Sequence, residues 1–181
     1  MQKENHPVYD KNTLEFVTVA FEFCSWIEKT TEYDLFRFVN NATKLLPLLY
    51  LKATLLPEVE NVADDFDSSH FITEETYDAI RSRIADLLGE HDTFLDTFSP
   101  DMPYSDTPIA AFISENLADM YQDIGNFVAL FRQGYEKTML QALADCAESF
   151  RTYWGQALLN ALKALHAIRY NEEINLKEEK I

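Results

Sequence analysis

Glycine is nearly missing from this 181-residue sequence, which holds only Gly89, Gly125, Gly134 and Gly155. Phosphate-cradling loops and dinucleotide fingerprints need clustered glycines, so both are excluded, and a turn-rich β architecture is disfavoured. Cysteine is almost as scarce. Cys24 and Cys146 stand alone in apolar helical patterns, and two isolated thiols make neither a zinc site nor a disulfide scaffold. Basic residues are outnumbered, 15 against 31 acids, for a net charge of −16. Such a surface repels phosphate backbones and anionic lipid, and no basic run offsets it: the expectation is no nucleic acid and no membrane partner. The longest apolar run, residues 45–56, contains Pro47 and Lys52 and is too short to span a bilayer. Residues 1–11 are polar, without the apolar segment of an export signal, so the expected compartment is the cytosol. The sequon Asn41-Ala42-Thr43 is idle without a secretory route.

What is present is core-forming material. Hydrophobic residues make up 47% of the chain and aromatics 13%, enough for a globule of this length to fold without staples. Residues 1–181 are read as one helical domain, with 1–9 and 171–181 as frayed termini.

Apolar residues recur at helical spacing throughout. A first helix is predicted over about 10–29, with Leu14, Val17, Phe21 and Cys24 beside Phe16, Ala20, Phe23 and Ile27. A second covers about 33–56 and should kink at Pro47. Residues 57–72 read as an acidic loop with Asp64, Asp65 and Asp67. Thr73, followed by Glu74 and Glu75, reads as the N-cap of a third helix. Its stripe of Tyr77, Ile80, Ile84 and Leu87 stays in phase past Gly89 through His91, Leu95 and Phe98. Pro100 and Pro103 mark a linker, and Thr107-Pro108 reads as the start of a fourth helix that runs to Gly134. A last helix carries one stripe from Leu140 to Ile168, bent near Gly155. No alternating β pattern competes. The fold class is all-α, a single-domain bundle of about five helices with a long C-terminal helix.

Three stretches resemble a known family: Leu45-Leu46-Pro47-Leu48-Leu49-Tyr50 continuing to Leu56-Pro57, Leu117 through Ile124, and Ser149-Phe150 through Trp154-Gly155 to Leu165-His166. Together they are similar to the bacterial family catalogued as domain of unknown function 5063. The resemblance implies a compact helical fold in a bacterial protein and no assigned activity.

Among the residues that invite a chemical role, Glu115, Asp119 and Asp123 recur every four positions. The helical wheel places them opposite the apolar face, which makes a solvated acidic face of them rather than a metal site. His91 falls in the stripe of a continuous third helix, with Asp92 and Asp96 near enough to orient it. It reads as a buried neutral histidine, or as a loop residue if Gly89 ends the helix. Trp154 reads as core, the alternative being a pocket with Tyr50 and His166. There is no nucleophile elbow, and the cysteines sit where a thiol stays protonated. No residue is assigned a catalytic, cofactor-binding or metal role. The leading functional reading is a non-catalytic interaction or accessory protein of the bacterial cytosol, whose partner carries a basic surface. The alternatives are a metal-dependent helical-bundle hydrolase using His91, and a small-ligand binder with an apolar pocket near Trp154.

Overall fold

The computed structural model describes residues 6–59, 70–96 and 99–174. Six α-helices dominate it: α1 (Lys11–Glu28), α2 (Leu35–Thr54), α3 (Glu74–Leu88), α4 (Ile113–Phe131), α5 (Glu136–Ser149) and α6 (Gly155–Arg169). A π-helical turn, Phe150–Trp154, joins α5 to α6, so the two form the long C-terminal helix. Short polar side chains start the first three helices by accepting backbone N–H groups. Asp10 accepts from Asn12, Asp34 from Arg37 and Thr73 from Thr76. α2 runs unbroken through Pro47, which lies on its exposed side, where water can reach the backbone carbonyl that a proline leaves unpaired.

α4 is the central element and packs against α1, α3, α5 and α6, while α2 lies on α1 and α6. The core is one contiguous cluster from Val8 to Ile168. At its centre the indole of Trp154 stacks on Phe16, ring centroids 6.3 Å apart, and Phe16 meets Phe127 at 5.4 Å.

Three boundaries differ from the sequence reading. The third helix stops at Leu88, because Gly89 adopts φ +55°, a conformation that costs glycine little and other residues more. Its apparent continuation is instead strand β1 (Thr93–Asp96), paired antiparallel with β2 (Ile109–Phe112) in a two-stranded sheet. The fourth helix therefore begins at Ile113 rather than at Thr107-Pro108. Its N-terminus is capped from a distance: the buried Asp92 carboxylate accepts both the backbone N–H and the hydroxyl of Ser114, each at 2.7 Å. The N-terminal segment also departs from the expected fraying. Pro7–Tyr9 form a 3-10 turn, Val8 is fully buried, and the Thr13 hydroxyl donates to the Pro7 carbonyl at 2.6 Å. Residues 1–5 and 175–181, Phe98, and the loop acids Asp64, Asp65 and Asp67 lie outside the described residues.

Candidate functional site: the carboxylate row of α4

The three acids of α4 do not share one environment. Glu115 is exposed, but Asp119 and Asp123 are half-buried. The solvated acidic face read from the helical wheel is corrected here: the wheel identifies the side opposite the core, but α3 and the C-terminal helix border α4 on that flank. Asp119 accepts the hydroxyl of Tyr77, from α3, on one oxygen and that of Tyr153, from the π turn, on the other, both at 2.8 Å. One turn on, Asp123 accepts the hydroxyl of Ser149 at 2.5 Å. Asn126 continues the row, its carbonyl oxygen accepting the backbone N–H groups of Phe71 (2.7 Å) and Ile72 (2.9 Å). Beside it, Gly125 leaves room for the Ile72 side chain, which would lie 3.0 Å from an added Cβ.

The lower half of this row borders a cleft of about 220 Å³ between α4 and α5. Its polar lining is His70, Asp123, Asn126, Asp145, Cys146 and Ser149. Burial raises the Asp123 carboxyl above its ordinary 3.8, only partly offset by the Ser149 hydrogen bond. Burial likewise drives the Cys146 thiol well above its ordinary range and the Cys24 thiol to about 12. Tyr153 is pushed to about 12 and Tyr77 higher still, by burial first and by the Asp119 contact second. These groups are therefore hydroxyl and thiol donors at neutral pH, and the thiolate needed for nucleophilic attack is not formed. Ser149 donates directly to a carboxylate, with no imidazole between the two, so the relay that activates a serine is not assembled. His70 sits exposed among the lining residues.

The remaining tempting residues are dispersed. His91 lies in the 3-10 turn after α3, its nearest acid Glu90 at 3.9 Å, while Asp92 is committed to capping α4. No group of three His, Cys, Asp or Glu side chains among the described residues is placed to hold a metal ion. Trp154 is fully buried, and Phe150 stands between it and Tyr50, at 4.7 and 5.2 Å respectively. His166 is exposed on α6 against Tyr170, about 18 Å further along the helix from Trp154. The pocket imagined from these three is not formed. Sequence reasoning missed Tyr153, Ser149 and Asn126 as partners, and took Tyr77 for a purely apolar stripe residue. The one available signal was Asn126, three residues beyond Asp123 on the same face.

Residues 7–171 match the model of the family described as domain of unknown function DUF5063. The chain belongs to that family. It is also similar to a solved structure, the crystal structure of protein BF1032 from Bacteroides fragilis, at 41% identity and a TM-score of 0.82. That match covers 91% of this chain and 96% of the other. No curated protein matches. Among the described residues no helix is long and apolar enough to cross a membrane. The row of α4 lies wholly inside the matched span. Its geometry is that of a polar seam fastening four segments of the chain together, with both carboxylate oxygens of Asp119 engaged.

Proposed function

We propose that this chain is a non-catalytic interaction or accessory protein of the bacterial cytosol that docks a protein partner on the outer face of α1 and α2. The observation that carries this reading is a set of large apolar side chains left in water there. Leu14 and Phe21 on α1, and Leu48, Leu51 and Leu55 on α2, are each 41–52% exposed. Leu48, Leu51 and Leu55 follow the i, i+3, i+7 spacing of one helical stripe. A 2.6 Å ion pair between Lys52 and Glu15 ties that stripe to the start of α1, beside Leu14. Clustered apolar exposure of this kind is how a docking surface differs from ordinary surface.

The partner is inferred to carry a basic surface, since a net charge of −16 attracts cationic proteins over long range. A second copy of the chain would bring the same charge and be repelled. The attraction acts on the association rate and the apolar face on the lifetime of the complex.

A photo-crosslinking side chain placed at Leu51, and separately at Tyr104, tests this in the native cell. Tyr104 is more exposed, at 91%, and sits in the 3-10 turn Met102–Tyr104 between β1 and β2. The expected result is an adduct of one defined partner at position 51 and none at 104. Binding of that partner, once purified, should associate several-fold more slowly when salt rises from about 0.05 M to about 0.5 M. Equal labelling at both positions, or an association rate indifferent to salt, would sink the reading.

A further inference from the structure

Where the net charge is strongly negative, one cleft is lined against the trend. Between the C-terminal half of α1 and the middle of α2 lies an open space of about 390 Å³, within the size range of small-ligand sites. Lys29 reaches it from just past the end of α1 and Lys44 from α2, with Glu22 the single acid in its wall. Neither lysine has a carboxylate within ion-pair distance among the described residues, although acids outnumber bases two to one in the chain. At one end Tyr33 joins the wall, with the Arg37 guanidinium 5.7 Å from its ring centroid. The apolar part is formed by Trp26, Leu45 and Leu48.

Trp26 gives the wall a rigid aromatic surface. Its ring is held by stacking on Phe38, ring centroids 4.5 Å apart, and the indole nitrogen is enclosed by protein, so only an edge of the ring faces the cleft.

We infer that this cleft binds a small organic carboxylate with an apolar body, the carboxylate held by Lys29 and Lys44 and the body laid against Trp26, Tyr33, Leu45 and Leu48. Charge-assisted hydrogen bonds fix one end and an apolar wall takes the other. The site is distinct from the protein-docking face and shares only Leu48 with it, so either reading stands or falls without the other.

The test uses the full chain labelled with nitrogen-15, whose two tryptophans give two indole N–H signals, assigned with Trp26→Phe. The probe is 4-phenylbutyrate. Its controls are 4-phenylbutylamine, with the same body and opposite charge, and inorganic phosphate, with charge and no body. Phenylbutyrate is expected to shift the Trp26 signal saturably while leaving that of Trp154 in place, and neither control is expected to do so. The double reversal Lys29→Glu with Lys44→Glu is expected to weaken binding by about tenfold or more with an unchanged circular dichroism spectrum. Lys44→Glu alone, on an exposed position, should act in the same direction. The inference is overturned by the absence of a saturable shift up to about 10 mM probe, by equal binding of either control, or by unchanged affinity in the reversed variants.

Discussion

Asp119 has both carboxylate oxygens occupied, by hydroxyls that belong to different segments of the chain. Removing the acceptor strands Tyr77, half-buried, far more than Tyr153, which is half in water. Asp119→Ala is therefore expected to lower unfolding free energy by about 1–3 kcal/mol, and Tyr153→Phe by about 1 kcal/mol or less. Urea unfolding of the two single variants and their double mutant checks this. A coupling near zero would mean that the carboxylate does not hold the π turn. Asp123 behaves differently, because burial opposes its charge. With its carboxyl raised above the ordinary 3.8, the folded chain binds the proton more tightly than the unfolded chain does between those two values. Stability therefore falls as pH rises through that window. Asp123→Asn keeps an acceptor for Ser149 and removes the charge. It is expected to shift the urea midpoint upward at neutral pH, with the advantage fading as pH falls through that window and gone below the ordinary 3.8. A variant less stable than the parent at neutral pH would show that the charged hydrogen bond outweighs the burial.

At the scale of elements, helix existence was legible in the sequence, and so were ends marked by a cap or a stop, Thr73 before α3 and Gly134 after α4, whereas the end of α3 and the start of α4 were not. The stripes of α1, α2 and α4 are long, and periodicity over several turns has few rival explanations. The third helix misled because Leu95 and Phe98 happen to extend its phase, and periodicity is blind to the positive φ at Gly89. The four-residue strands β1 and β2 are too short for alternation to register, and their partner lies across a loop. The capping of α4 was equally invisible, since Asp92 and Ser114 are separated by 22 positions. Asp92→Ala is expected to cost about 1–3 kcal/mol through two orphaned donors and a lost anion at a helix N-terminus. Asp92→Asn should cost less. The π turn of the C-terminal helix was not legible. Its stripe puts two spacings of four together at Phe150, Trp154 and Leu158, but an ordinary helix of 3.6 residues per turn needs such doublings too, and α2 has one at Leu45, Leu49 and Ala53 while staying α-helical throughout. Gly155 makes the turn possible. A Cβ there would fall 2.5 Å from the Phe150 carbonyl oxygen and 2.9 Å from its ring, and the carbonyl cannot swing aside without breaking the turn. Gly155→Ala is expected to destabilise by about 1–3 kcal/mol, despite alanine's helix preference of about 1 kcal/mol. A more stable variant by thermal melting would show that the π turn can revert to α geometry at no cost.

For the whole molecule, composition alone indicated a helical globule, because so little glycine leaves few routes to tight turns and so much apolar surface demands a core. It could not locate a site, since chemistry here depends on which side chains meet across helices. The α4 row shows the limit: a wheel drawn for one helix cannot know that Tyr77 and Tyr153 arrive from its neighbours. Charge is the property that belongs to the molecule rather than to any part. Glu15, Asp78 and Glu148 pair with Lys or Arg, but 31 acids against 15 bases leave more than half of the carboxylates with no basic residue to pair with. Self-repulsion of this kind destabilises the compact state and is screened by salt within about 10 Å at about 0.1 M. Exposed ion pairs contribute little each, so weakening them costs less than screening the repulsion returns. Raising sodium chloride from about 0.05 M to about 0.3 M is expected to increase the melting temperature by about 2–4 °C, equivalent to about 1 kcal/mol. A gain that levels off above that concentration marks screening, which saturates, whereas solute exclusion would keep raising the melting temperature. Asp86→Lys, at an exposed position of α3, should stabilise in low salt and shrink the response to sodium chloride. A melting temperature that falls with added salt would mean that the ion pairs, not the excess of acids, dominate the electrostatics of this fold.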